Sequence, residues 1–401
     1  MGKLNSFSIS FSNQHGVFYA GTVLEGYVTV DLKDAMDMRG IQLKFEGIAR
    51  VSWTETEETG SGDNRETRSV TYSASEKYFD QEVLLHGVWP SRGHSTTKLP
   101  QGLHTFPFQF HLPPNLPSSF EGGEGYVRYL IKCKIDKPWK FDHKTKRPFT
   151  IVGILDLNAD LSNSQRVQGV KVKHLCCLCC KSGPISVSFH LDQKGFVPGE
   201  TIRPTAEISN GSSRKIDKSY VELKMITTFY AESNSKTLTK TVARLTRPGI
   251  SGHSEDVWCG EELVIPPLPP SFLHGCKIIK VTYFVQLTVD PSGPALDLKI
   301  PLDVVIGTIP LMSVIQQQPP MAPIGFDGRS PWPTVPSPDS GIAQYPPNMP
   351  PPSYSECVTG RVNIKEADDE HTHGDLSFAP SYPYYNWGHS ASALPEPMGK
   401  K

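Results

Sequence analysis

Long apolar runs are missing from this sequence. None reaches the roughly 18 residues that a membrane-spanning helix needs, so no such helix is expected. An excess of charge of either sign is missing too, with 40 Lys+Arg against 41 Asp+Glu and a formal net of −1. A whole-chain nucleic-acid binder is usually strongly basic, so that class is disfavoured. The segment Met1-Gly-Lys-Leu-Asn-Ser-Phe-Ser8 lacks the apolar core of a secretory signal. A cytosolic setting follows as the expectation, and with it reduced thiols for the eight cysteines. Gly2 with Ser6 also fits the short myristoylation pattern Met-Gly-x-x-x-Ser.

Catalytic signatures are absent. Gly122-Gly-Glu-Gly125 is followed by a strand pattern rather than a helix, so it cannot form a P-loop. No Gly-x-Ser-x-Gly, His-Glu-x-x-His or Ser-x-x-Lys string stands in a catalytic context. The pair His371-Thr-His373 lies in a Pro-rich tail, with no packed surroundings to orient the rings. No enzyme, cofactor or metal is expected. Amphipathic helical periodicity is also lacking, and 36 prolines argue against an all-helical chain.

What the chain does contain is alternation. Phe7, Ile9 and Phe11 alternate with serines; Val127, Tyr129, Ile131, Cys133 and Ile135 alternate with Arg128, Lys132, Lys134 and Asp136. Val281, Tyr283, Val285, Leu287 and Val289 follow the same rule. Period two places every second side chain on one face, which is the mark of half-buried strands. Gly, Pro and Asn clusters such as Pro113-Pro-Asn and Ser209-Asn-Gly-Ser separate these runs.

The pattern occurs twice. A shift of 178 residues lays Phe7, Ile9 and Phe11 on Ile185, Val187 and Phe189, Phe18 on Phe196, Gly21 on Gly199 and Val30 on Ile208. Further on, Leu112-Pro-Pro-Asn-Leu-Pro-Ser-Ser-Phe120 is matched by Ile265-Pro-Pro-Leu-Pro-Pro-Ser-Phe272. The sequence therefore predicts an all-β fold of two tandem immunoglobulin-like antiparallel β-sandwich lobes, 1–165 and 183–310, joined by a Cys-containing linker, 166–182. Residues 311–401 hold 16 of the 36 prolines. Such a segment is expected to stay disordered, because it has too little apolar surface to offset its ordering entropy.

Several stretches resemble the α-arrestins, the arrestin domain-containing proteins, over about 1–312. They are Phe18-Tyr-Ala-Gly with Leu24-Glu-Gly-Tyr-Val, Gly125-Tyr-Val-Arg-Tyr-Leu-Ile-Lys132, Cys176-Cys-Leu-Cys-Cys-Lys-Ser-Gly-Pro-Ile185, Gly195-Phe-Val-Pro-Gly-Glu200 and Ile300-Pro-Leu-Asp-Val-Val-Ile-Gly-Thr-Ile-Pro-Leu311. The tail element Pro351-Pro352-Ser353-Tyr354 is similar to the Pro-Pro-x-Tyr motif of that family. The resemblance implies the arrestin fold and a non-enzymatic adaptor. Such an adaptor links membrane receptors or transporters to HECT-type ubiquitin ligases with WW domains, at the plasma membrane and endosomes.

The motif has a mechanism of its own. Prolines pre-set the polyproline II conformation, and WW domains offer an aromatic groove for proline rings beside a pocket for the tyrosine. On the residues alone, Pro351, Pro352 and Tyr354 are either that ligand or a spacer. Relatives often carry two motifs; here the second, Ala379-Pro-Ser-Tyr382, lacks its first proline.

A basic stretch offers a second candidate: Arg128, Lys132, Lys134, Lys140, Lys144, Lys146 and Arg147. It suits phosphorylated cargo tails or anionic lipid, or it is an ordinary solvated strand face. Better-known arrestins tie their tail to a buried charge cluster. No such cluster can be matched here residue by residue, so cargo binding without phosphate triggering is expected. Cys176, Cys177, Cys179 and Cys180 crowd too closely to wrap one tetrahedral ion. Palmitoylation or apolar packing at an interlobe hinge are the alternatives. Cys259 is a candidate for redox coupling of the kind seen in thioredoxin-interacting protein, although Trp258-Cys-Gly-Glu-Glu does not look like that protein's surroundings. A ligase-independent, retromer-like trafficking scaffold is the remaining competitor.

Overall fold

The computed structural model describes residues 3–59, 66–89, 96–138, 141–177, 180–181, 183–317, 320–321, 352–366, 369 and 372–388. The first lobe opens with Leu4–Phe11, where Phe7, Ile9 and Phe11 are buried between exposed serines. That strand joins Val23–Leu32 and Gly102–His111 in a three-stranded sheet. The opposing sheet runs Val17–Tyr19, His143–Val152, Gly125–Asp136, Gly40–Thr59 and Glu66–Gly87. The two inner faces share one core, in which Phe45 stacks on Phe110 at 4.5 Å between ring centroids.

The second lobe repeats this strand order in both sheets, with one further edge strand on the smaller one. Ile185–Leu191, Thr205–Asn210 and Ser254–Trp258 form the smaller sheet. Gly195–Phe196, Leu298–Ile306, Ile279–Pro291, Ile216–Ala231 and Asn234–Arg247 form the larger. Phe18 and Phe196 are both buried, each in a short strand parallel to its lobe's last long strand. The repeat extends to buried polar atoms, which must find partners once removed from water. The Tyr129 hydroxyl donates to the Pro117 carbonyl at 2.7 Å, and the Tyr283 hydroxyl to the Pro269 carbonyl at 2.7 Å. The Ser119 hydroxyl accepts from the Ile151 N–H, and the Ser271 hydroxyl from the Ile306 N–H, both at 2.9 Å.

Two regions differ from the sequence expectation. Within the stretch read as a linker, Val167–Lys173 forms an edge strand of the second lobe, antiparallel to Ile185–Leu191. Its Val-x-x-Val-x-Val spacing breaks period two between Val167 and Val170, and Val170 and Val172 are exposed, so the alternation is weak. The second region is the tail. Its composition predicts no packing, yet the described part contains Ser353–Glu356 paired with Ser381–Tyr384, Val362–Asn363 paired with Ser377–Phe378, and Thr372–Gly374 paired with His143–Val152. Ile364, Phe378, Tyr382, Tyr385 and Trp387 are buried. These few large apolar side chains supply the area that the prolines dilute in the average.

The lobes meet along Leu155–Leu157, where the Leu155 carbonyl accepts from the Thr308 and Ile309 N–H groups and Leu157 packs against Gly195 and Gly307. Among the described residues no helix is long and apolar enough to cross a membrane.

Candidate functional site

The tail motif sits on the surface of the first lobe. Pro351 lies outside the described residues, and Pro352 is buried. Tyr354 is half-buried and packs against the cluster of Val17, Tyr19 and Val152. Its hydroxyl lies 3.3 Å from that of Tyr19, and the His15 ring centroid is 5.5 Å away. Desolvation, with the neighbouring Tyr19 hydroxyl, raises the Tyr354 phenol well above its ordinary value, so it stays a neutral hydrogen-bonding group. Across the strand pair, Tyr354 faces Pro383, and the Ser353 hydroxyl donates to the Tyr384 carbonyl at 2.9 Å.

The degenerate second motif is part of the same structure. Tyr382 is 1% exposed and donates its hydroxyl to the Ser119 carbonyl at 2.8 Å. Tyr385 reaches the second lobe, donating to the Thr308 carbonyl at 2.6 Å. Gly199, at φ +90°, makes room for it: a Cβ there would lie 2.0 Å from the Tyr385 carbonyl oxygen.

The basic stretch is not the open cationic face that its sequence suggests. Arg128 is buried, bonded to both Glu121 oxygens at 2.7 Å, with its guanidinium over the Tyr126 ring at 3.9 Å. Burial raises the Glu121 carboxyl above its ordinary value, and Arg128 offsets only part of that rise. Strand register places Lys44, Lys132 and Lys146 directly opposite one another across three strands. A row of like charges is unfavourable unless it is countered. Asp80 pairs with Lys44 at 2.8 Å, and Lys132 lies between Glu46 at 2.9 Å and Glu366 of the tail at 2.8 Å. Lys146 is 1% exposed and bonds the Asp369 carboxylate and the Ile364 carbonyl, both from the tail. Burial alone would raise the Asp369 carboxyl. The Lys146 ammonium, the Glu366 N–H and Thr372 outweigh that and hold it below its ordinary value.

Arg147 donates to the Ile9 carbonyl at 2.7 Å and approaches Asp375 at 3.9 Å. Lys134 and Lys144 are partly exposed and directly opposite each other, and Lys140 lies outside the described residues. Arg128 and Lys146, expected as contacts for cargo or lipid, are thus corrected to interior groups. A charge cluster tying the tail to the first lobe is present after all, at Lys132, Lys146, Glu366 and Asp369. The sequence held one signal for it. Leu130 sits among Arg128, Lys132 and Lys134 on the basic face, where an apolar residue is out of place. In the structure Ile364 and Phe378 cover it.

Of the cysteine cluster, Cys176–Cys177 and Cys180–Lys181 form a two-stranded pair, and Cys179 lies outside the described residues. Cys259 is exposed, whereas Cys133 and Cys357 are buried. Among the described residues no group of three or more His, Cys, Asp or Glu is placed to hold a metal ion.

With two duplicated sandwiches and a docked tail described, comparison with known proteins is decisive. The profile Arrestin (or S-antigen), N-terminal domain, matches residues 7–158, and Arrestin (or S-antigen), C-terminal domain, matches 181–311. Arrestin domain-containing protein 17 of Caenorhabditis elegans is 30% identical over 443 aligned positions, covering 96% of this chain and 100% of its own. The chain belongs to the α-arrestin family. This α-arrestin is also 29% identical to human arrestin domain-containing protein 4, over 89% of this chain and 82% of that one. Thioredoxin-interacting protein of Sus scrofa is 28% identical, over 88% and 96% respectively. Members of the arrestin family are typically non-enzymatic adaptors.

Proposed function

We propose that this α-arrestin recruits WW-domain HECT-type ubiquitin ligases to membrane-protein cargo and so promotes ubiquitination, endocytosis and endosomal sorting. The observation that carries the reading is Pro351-Pro352-Ser353-Tyr354 in the tail of a twin-sandwich protein. The lobes offer broad surfaces for cargo, and the motif supplies a separate handle for the ligase. Partly exposed Lys134 and Lys144 remain candidates for contact with anionic cargo or lipid, with peripheral membrane association as the consequence.

A single Pro-Pro-x-Tyr motif engages few side chains, so micromolar binding, about −8 kcal/mol, is expected. Removing its aromatic anchor commonly costs about 2 kcal/mol, roughly thirtyfold. Tyr382 occupies an interior site, so avidity from a second motif does not mask that loss. Tyr354→Ala should therefore abolish capture of WW-containing ligases and ubiquitination of cargo, with the lobes still folded. Unchanged binding in a titration with isolated WW domains would make the motif a structural element. The packing of Tyr354 on Tyr19 favours that second reading, a ligase-independent trafficking scaffold.

A further inference from the structure

We infer that the described tail residues, 352–366, 369 and 372–387, form a strap that masks the Pro-Pro-x-Tyr motif, so that the first lobe and a WW domain compete for the same Tyr354 ring. The inference rests on the ligase reading and adds its regulation. A WW domain needs the motif as a free polyproline II segment with the tyrosine ring available to fill a pocket. In the docked strap, Pro352 is buried, and the ring lies against Val17, Tyr19 and Val152. The backbone of Ser353–Glu356 is committed to antiparallel pairing with Ser381–Tyr384. One ring cannot occupy both sites, and the paired backbone is not the conformation that the groove reads.

Besides the buried Tyr382 beside the motif, the strap is also held at a distance from it. Ile364 and Phe378 cover Leu130, Asp369 neutralises buried Lys146, and Thr372–Gly374 extends the exposed edge of His143–Val152. The last pairing depends on Gly374, at φ +94°, where a Cβ would lie 2.2 Å from the Lys146 carbonyl oxygen. These contacts are made by a segment whose ordering entropy opposes them, which is the balance a detachable element needs. Where a binding-competent state is a minor fraction, apparent affinity falls by that fraction. Loosening the strap should therefore tighten WW binding with no change in the motif.

The test uses the full chain, with Asp369→Asn and Phe378→Ala combined. Both changes lie in the strap, outside the motif and outside the interior of either lobe. Undocking returns Lys146 to water, so the variant relieves its unpaired charge by releasing the strap rather than by unfolding the lobe. Amide exchange and titration with an isolated WW domain are then read on wild type and variant. The expected result is slow exchange at 353–356 and 381–384 in the wild type and fast exchange in the variant. WW binding should be about tenfold tighter in the variant, and saturating WW domain should speed exchange at 372–374 in the wild type. Fast exchange of these amides in the wild type, equal affinities, or a bound WW domain with 372–374 still protected would each overturn the inference. A released variant that binds no WW domain overturns the ligase reading instead, while the strap stands on its amide protection.

Discussion

The two lobes are copies inside and strangers outside. Tyr129 and Tyr283 hold equivalent carbonyls, and Phe18 and Phe196 fill equivalent sites. On the outer face of the larger sheets, register aligns Lys132–Lys146 of the first lobe with Gln286–Pro301 of the second. Arg128 corresponds to Thr282 by the same alignment. A duplicated core can change little, because each interior group needs its partner and its volume. Outer positions are free to diverge, and here the first lobe carries a cationic row that Asp80 and Glu46 of its own sheet neutralise together with Glu366 and Asp369 of the tail. The lesson is that function in a duplicated fold is best sought where the copies disagree.

The comparison can be broken most severely at the shared core. Phe18→Ala and Phe196→Ala should each destabilise the lobe that holds them by about 3–5 kcal/mol in denaturant titrations. A large cost at one site alone would show that the copies pack differently. Phe18 contacts Phe11 and Phe149 edge-on, so its loss also removes two aromatic pairs.

A smaller effect is expected where the lobes differ in one buried carboxyl group. Both short turns close alike, with the Thr22 N–H bonded to the Tyr19 carbonyl and the Glu200 N–H to the Val197 carbonyl. Burial pushes the Glu200 carboxyl up to about 8, with the Val197 N–H and Gln193 opposing the rise. A folded state that keeps its proton while the unfolded chain loses it becomes less stable as pH rises through that interval. Glu200 should therefore remove about 3 kcal/mol of stability between pH 5 and 7, read as the difference between the wild-type and Glu200→Gln profiles, because His143 and His190, held below their ordinary range, act with the opposite sign in the same window. Parallel profiles in pH-dependent urea melts would show that Glu200 is ionised in place.

The smallest effect tests the polar duplication. Tyr129→Phe and Tyr283→Phe should each cost about 1–3 kcal/mol, because each leaves a buried proline carbonyl without its donor. Similar costs in the two lobes would confirm that the equivalence extends to single atoms. A neutral result at one would mean that water replaces the donor there.

Much of this was legible before any coordinates. Period-two alternation marked the strands, and the shift of 178 residues aligned sites that the fold makes equivalent. Val167–Lys173 was missed, because an edge strand with one open side shows weak alternation. The site was read less well. Arg128 and Lys146 looked like surface cations because their partners, Glu121 and Asp369, are not on their own strands. Leu130 alone pointed to a covered face.

By itself the sequence determined the twin sandwiches and the motif, since strand periodicity, turn residues and a four-residue string are local properties of the chain. Only the tertiary structure decided where the motif rests and what the basic row faces. Tyr19 meets Tyr354 across 335 residues and Lys146 meets Ile364 across 218. Contacts at such separation need the first lobe folded into the surface that receives the tail.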